Sequence, residues 1–258
     1  MTQRTHTRYG WLPDLPDARD HYYSAPYEVT MALPTHVDLR PQCQPVYDQG
    51  QLGSCTANAI GGAVQFDWRK QQLQDETPSR LFIYYGEREI EGTVDSDSGA
   101  MLRDGIKVVA QYGAPFESLW PYDITQFAVR PPAAAWTAGL QERALVYARV
   151  LQKLNQMKGC LAAGYPFVFG FSVYESFESD VVAASGVVPM PASGEALLGG
   201  HAVMAVGYDD VSQLFVVRNS WGDAWGKGGY FYMPYAYLGS QSLASDLWTI
   251  RLMEKPAP

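Results

Sequence analysis

Apolar residues recur with two different periods along this chain, one in each half. From Ser54 onward, Ala57, Ile60, Val64 and Trp68 are spaced by 3, 4 and 4 residues, which places them on one helical face. Ser54 has a side chain suited to the N-cap. Ala59, Ala63 and Phe66 widen the apolar face, so this helix is expected to be central and buried. Gly61 and Gly62 would each cost about 1 kcal/mol against alanine, which the close approach of another backbone would explain. A second helix is expected after Pro78, through Leu81, Phe82, Tyr84 and Tyr85. A third spans about Ala100 to Tyr112 and stops at Gly113. Pro121, Pro131 and Pro132 then punctuate a loop-rich stretch.

Beyond about residue 144 the pattern becomes strand-like. Ala144 to Val150, Phe167 to Val173, His201 to Tyr208, Leu214 to Asn219 and Gly229 to Met233 read as strands, with a helix over Leu154 to Ala163 ended by Gly164. Asp209-Asp210-Val211-Ser212 fits a turn. Helices in the first half and strands in the second indicate an α+β protein rather than alternating βαβ units.

The first 35 or so residues follow neither period. Tyr9-Gly10-Trp11-Leu12-Pro13-Asp14-Leu15-Pro16-Asp17 reads as an extended arm packed on the body, because Trp11, Leu12, Leu15, Tyr22 and Tyr23 would be costly to expose together. It either hugs the surface or lies over a functional cleft. Met1 to Trp11, with Arg4, His6 and Arg8, has no apolar stretch like a signal peptide, which implies a cytoplasmic protein by default or export by another route.

Composition narrows the function. With 258 residues, 47% of them hydrophobic, the chain can bury one or two cores. Its net charge of −8 and the lack of Lys/Arg runs argue against nucleic acid or an anionic membrane as partner. No apolar run reaches the ~18 residues of a membrane span. Of the three cysteines, Cys43 and Cys160 can form a disulfide or remain as buried thiols. No Cys/His spacing suggests a metal, and no cofactor is expected.

Cys55 sits where a glycine-containing loop enters the first helix. Unpaired N–H groups and the helix dipole there favour an anion and would lower a thiol's pKa. Of the four histidines, His6, His21 and His36 lie near the N-terminus, while His201 follows Gly199-Gly200 and opens an apolar strand. Asn219 can accept a hydrogen bond from the imidazole, and the Trp221 indole can shield that bond from water. Gln49 and the Cys55 N–H can donate to a developing oxyanion. Cysteine nucleophile, histidine base, asparagine orienter and glutamine donor together suit acyl transfer.

These segments resemble the papain family of cysteine peptidases. The resemblance rests on Gln49-Gly50-Gln51-Leu52-Gly53-Ser54-Cys55, Gly200-His201-Ala202-Val203 and Asn219-Ser220-Trp221-Gly222, followed by Trp225-Gly226-Lys227-Gly228-Gly229-Tyr230. His201 lies 201 − 55 = 146 residues after Cys55 and Asn219 lies 219 − 55 = 164 after it. Leu33-Pro34 with Val37-Asp38-Leu39-Arg40 looks like the usual mature N-terminus. The resemblance implies a papain-like two-domain fold with the active site in the cleft between the domains. The left domain, 44–140, would be helical, and the right domain, 33–43 with 141–258, antiparallel and β-barrel-like, preceded by a pro-like arm over 1–32. It also implies a cysteine endopeptidase, monomeric and acting on peptides, that can be blocked by its own arm. Ser98-Gly99-Ala100 would pair with substrate backbone. Met101, Leu102 and Gly200 would border the pocket for the second residue before the cleaved bond, and Trp221 would also contact substrate. Gly199 and Gly200 would leave that pocket open to a bulky apolar side chain. Leu52 and Thr56 depart from the family, which usually has a disulfide cysteine and an aromatic there. The short arm suggests a bacterial branch. Transpeptidation, isopeptide cleavage and a non-catalytic peptide-binding module are the alternatives.

Overall fold

The computed structural model describes residues 9–73 and 75–255. The part of the arm holding Arg4, His6 and Arg8 lies outside the described residues. In chain order, the arm and its exit form β1 (Trp11–Leu12), β2 (Tyr22–Tyr23), α1 (Tyr27–Met31) and β3 (His36–Asp38). The helical part follows with α2 (Cys55–Lys70), α3 (Arg80–Glu91), β4 (Ala100–Met101), α4 (Leu102–Gln111) and α5 (Ala133–Gly139). The strand-rich part comprises β5 (Ala144–Val150), α6 (Leu154–Ala162), β6 (Phe167–Tyr174), α7 (Asp180–Ser185), β7 (Leu197–Asp209), β8 (Leu214–Arg218), β9 (Tyr230–Pro234), α8 (Tyr235–Gly239) and β10 (Ala244–Met253).

Helix α2 is the pivot. Every residue from Cys55 to Trp68 is buried, as its wide apolar face predicts. It packs against β6, β7 and β10 on one side and α3 and α4 on the other. Two expectations about it need correction. Ser54 precedes the helix, but its hydroxyl does not cap it; the Oγ meets the Tyr122 hydroxyl at 2.5 Å. The glycine pair is approached by side chains rather than by a backbone. A Cβ on Gly61 would lie 3.3 Å from Arg80 Cγ, and one on Gly62 3.4 Å from Gln44 Nε2.

Eight strands form one sheet in the order β2-β5-β10-β6-β7-β8-β9, with β3 paired to the far end of β7, while β1 and β4 pair separately. All neighbours are antiparallel except β2 and β5, so the sheet is mixed. Its strand order does not return on itself, so it is open rather than a closed barrel. The sequence reading did not anticipate β10, which lies between β5 and β6. Its period is interrupted by Asp246 and Thr249, both buried with distant partners: Arg149 donates to Asp246 at 2.7 Å, and Thr249 donates to the Pro166 carbonyl at 2.9 Å. Arg218 joins sheet to helices, since its guanidinium donates to the Gln44 carbonyl at 2.7 Å while the Gln44 amide donates to the Gly62 carbonyl at 3.2 Å.

All three cysteines are free, which corrects the possible Cys43–Cys160 bridge. Each of these thiols instead faces a nearby carbonyl, Leu39 for Cys43 and Tyr165 for Cys160, both at 3.5 Å. Of the apolar arm residues, Trp11 and Tyr23 are buried, whereas Leu12, Leu15 and Tyr22 stay exposed. Among the described residues, no helix is long and apolar enough to cross a membrane.

Candidate active site

Three loops and one strand meet at the start of α2. The Gln49–Cys55 loop is fixed from several directions. Tyr122 donates to the Gln49 carbonyl at 3.0 Å, and Asp97 accepts the Gly53 N–H at 3.0 and 3.2 Å. Asp97 therefore holds the loop beside Leu52, where the family resemblance would lead one to expect a disulfide cysteine. Arg80 supports the loop from below. It donates to Asn58 Oδ1 at 3.0 Å and pairs with Glu117 at 2.8 Å, and its guanidinium lies 4.0 Å from the Tyr122 ring centroid.

Gln49 is buried with its amide orientation defined. Its Oε1 accepts from the Ser220 hydroxyl at 2.6 Å, and its Nε2 donates to the Leu52 carbonyl at 2.9 Å. One amide hydrogen thus remains to be directed elsewhere. The Gln49 N–H also donates to the Ser220 carbonyl at 2.9 Å, tying this loop to the Asn219–Gly222 segment after β8.

His201 is fully buried in β7, and its Nε2 lies 2.8 Å from Asn219 Oδ1. The Trp221 indole stacks on the imidazole, with centroids 4.9 Å apart and planes inclined by 28°. Phe177 and Trp225 pack edgewise on that indole at 5.6 and 5.1 Å. Low local dielectric strengthens a satisfied hydrogen bond, so the shielding expected of Trp221 is physically in place. His21 and His36 are exposed and remote from this cluster.

Cys55 is fully buried at the first turn of α2. Its thiol meets the backbone N–H of Ala202, the residue after His201, and that of Gly10 in the arm. Burial pushes this thiol up to about 12, although the Ala202, Gly10 and Thr56 N–H groups act the other way. The expected lowering by the helix start is thus overridden in this closed arrangement, because desolvation of a thiolate outweighs a few dipoles.

The arm crosses at this point. β1 pairs with β4 in parallel, Trp11 with Ala100 and Leu12 with Met101, and the Ala100 N–H donates to the Gly10 carbonyl at 2.7 Å. A Cβ on Gly99 would lie 2.3 Å from that carbonyl oxygen, so only glycine leaves room there. Trp11 fills the space over Gly170 and Gly200, where added Cβ atoms would come within 1.9 and 2.6 Å of its ring. Tyr9 packs beside His201 and Trp221, with centroids 6.1 and 6.3 Å away. Met101 is half-buried, and Leu102 lies fully in the core at the first turn of α4. Of the residues singled out by sequence, Gln49, Cys55, Gly99, Ala100, Gly200, His201, Asn219 and Trp221 converge here. Sequence reasoning missed Asp97, Tyr122, Gly170 and Ser220. Only Ser220 had a signal, its place between Asn219 and Trp221.

Known proteins resemble this chain over most of its length. Residues 33–246 match the family described as papain family cysteine protease. Xylellain, a cysteine protease from Xylella fastidiosa, has a solved structure that superimposes with a TM-score of 0.89 at 43% identity, covering 100% of this chain and 99% of that one. An uncharacterised peptidase C1-like protein of Acanthamoeba polyphaga mimivirus is 41% identical over 96% of this chain and 88% of its own length. Papain of Carica papaya is 29% identical over 77% of this chain, and the match spans 54% of that protein.

Proposed function

The chain belongs to the papain family of cysteine proteases, and from that premise we propose that it is an endopeptidase acting through Cys55, His201, Asn219 and Gln49. The observation that carries this reading is the buried His201–Asn219 hydrogen bond, stacked under Trp221 and one residue from the N–H that meets the Cys55 thiol. With Asn219 accepting from Nε2, Nδ1 is the basic nitrogen that takes the Cys55 proton. The thiolate attacks the scissile carbonyl, and the oxyanion receives hydrogen bonds from the Gln49 amide and the Cys55 N–H. His201 returns its proton to the leaving amine. Water then attacks the thioester, giving the free acid and restoring the thiol. The cleft divides a helical domain, 44–140, from a strand-rich one, 33–43 with 141–258.

The arm is the natural restraint on this chemistry. Gly10 stands against the nucleophile, and Trp11 occupies the pocket for a bulky apolar side chain two residues before the cleaved bond. The thiol is reached by substrate only when these residues leave.

Intact mass after treatment with a peptidyl epoxysuccinyl probe tests the assignment. The expected result is one adduct on Cys55 in the wild type, faster in a chain lacking residues 1–32 and lost in His201→Ala. An adduct that forms equally fast in His201→Ala would overturn the role of His201. Rates that are equal with and without the arm would overturn its restraint.

A further inference from the structure

We propose that Glu178 is a specificity-determining residue on the leaving-group side of the cleft, selecting a substrate side chain that donates a hydrogen bond, namely lysine, arginine or tyrosine. The inference rests on the active-site reading above and deepens it. Three consecutive arm residues occupy three consecutive places. Gly10 faces the Cys55 thiol, Trp11 lies over Gly170 and Gly200 on the β4 side, and Tyr9 lies on the opposite side of Gly10. If the β4 side receives residues before the cleaved bond, the Tyr9 place receives the residue after it.

That place is built to hold a side chain. The Tyr9 ring meets the edge of His201 and tilts over Trp221, and its Cβ would be 2.9 Å from a Cβ on Gly199. Its hydroxyl donates to Glu178 Oε1. Glu178 is held firmly, because its neighbour Phe177 is buried and packs edgewise on both Trp221 and Phe171, at 5.6 and 5.2 Å. The segment carrying the carboxylate is therefore fixed to the same indole that shields His201. Apolar ring faces near the backbone and a carboxylate at the far end match a side chain with an apolar stem and a donor at its tip. Arginine and lysine have that shape, as does tyrosine, the arm's own residue. An acidic side chain would meet like charge, and leucine would leave the carboxylate without the donor that Tyr9 supplies.

The test uses the full chain and a set of internally quenched peptides that differ only in the residue after the cleaved bond. Arm opening affects every peptide alike, so ratios of kcat/KM report the subsite alone. The wild type is expected to cleave the lysine and tyrosine peptides at least about 10-fold faster than the glutamate peptide. Glu178→Gln, whose carbonyl still accepts, should abolish the lysine preference and keep that for tyrosine. Glu178→Leu should lose both, while total activity rises because Tyr9 is released. Equal ratios in the wild type and Glu178→Leu would overturn the inference and leave the active-site reading standing. If no peptide is cleaved by the wild type or Tyr9→Ala, and no epoxysuccinyl adduct forms on Cys55, the active-site reading fails and takes the inference with it.

Discussion

The arm is anchored in two places that work by different physics. Its first anchor, Tyr9 to Leu12, is apolar and backbone-paired, with Trp11 buried over bare glycines. Its second, Asp14 to Asp20, is a buried cluster of charges. Asp14 accepts from the Arg103 N–H and the Trp248 indole, both at 2.9 Å, and Asp20 pairs with Arg103 at 2.6 Å and Arg149 at 3.0 Å. Burial of an indole is indifferent to pH and nearly so to salt, whereas ion pairs respond to both. On the proposed restraint by the arm, the first anchor sets how firmly the arm is docked, and the second sets under which conditions it stays docked.

The largest effect is expected from Trp11→Ala. Truncating a buried aromatic costs about 3–5 kcal/mol, all of it from the docked arm. Alkylation of Cys55 by iodoacetamide should then accelerate on the order of 1,000-fold. An unchanged rate would mean that the apolar anchor does not control closure. Arg103→Ala comes next. It removes one of the two arginine partners of Asp20 and the donor to the Leu15 carbonyl, and the Arg103 and Asp20 side chains are only 6% and 7% exposed. Breaking a buried pair costs about 3–5 kcal/mol, and the lower end applies because Arg149 still reaches Asp20. Alkylation should speed up less than in Trp11→Ala. The reverse order would make the charged cluster the principal lock.

These two anchors also differ in how readable they are. Trp11 is one of five large apolar arm residues for which sequence alone expects cover, and of these only Trp11 and Tyr23 are buried. The charged anchor does not stand out, because Asp14, Asp20, Arg103, Arg149 and Asp246 come from four separate segments and each looks like an ordinary surface residue. The same contrast holds elsewhere. Helices α2 to α4 follow from a 3.6-residue period, and Cys55, His201 and Asn219 are picked out by local motifs. Strand β10 and the supports Asp97 and Tyr122 depend on tertiary partners, which no local pattern announces. Gly170 reads as a weak point in a strand until the indole lying on it is seen.

A smaller effect, within reach of titration, separates the anchors by pH. Burial, with Asp246 alongside, raises Asp14 to about 6 from the ordinary 3.8. A raised value means that the docked arm holds the proton more tightly than the free arm. This group's contribution to docking is complete below 3.8 and is lost as pH rises through about 6. Asp20 behaves oppositely. Burial pushes it up, but the Arg103 and Arg149 hydrogen bonds outweigh that and hold it below its ordinary value. Its contribution is present above 3.8 and lost as pH falls through the lower docked value. Docking should be tightest near about pH 4 and loosen by about 2 kcal/mol toward pH 7. Asp14→Asn should flatten the alkylation profile between those limits; a profile as steep as that of the wild type would remove Asp14 from the account.

The smallest effect belongs to an ion pair of the same chemistry a few residues away. Arg19 binds Asp17 with two hydrogen bonds, at 2.9 and 2.7 Å, and the Asp17 carboxyl is held well below its usual range by the Arg19 side-chain hydrogen bonds and then by its N–H. By distance alone it rivals Arg103–Asp20. Yet the Arg19 side chain is 87% exposed, and both partners belong to the arm, so the pair is the same whether the arm is docked or free. Water screens it, and holding two long side chains in place offsets what attraction remains. Arg19→Ala should therefore leave both the unfolding midpoint and the Cys55 alkylation rate unchanged. A clear acceleration would show that charge near the arm acts over distance rather than through burial, and the separation of the two anchors would then have to be redrawn around net charge.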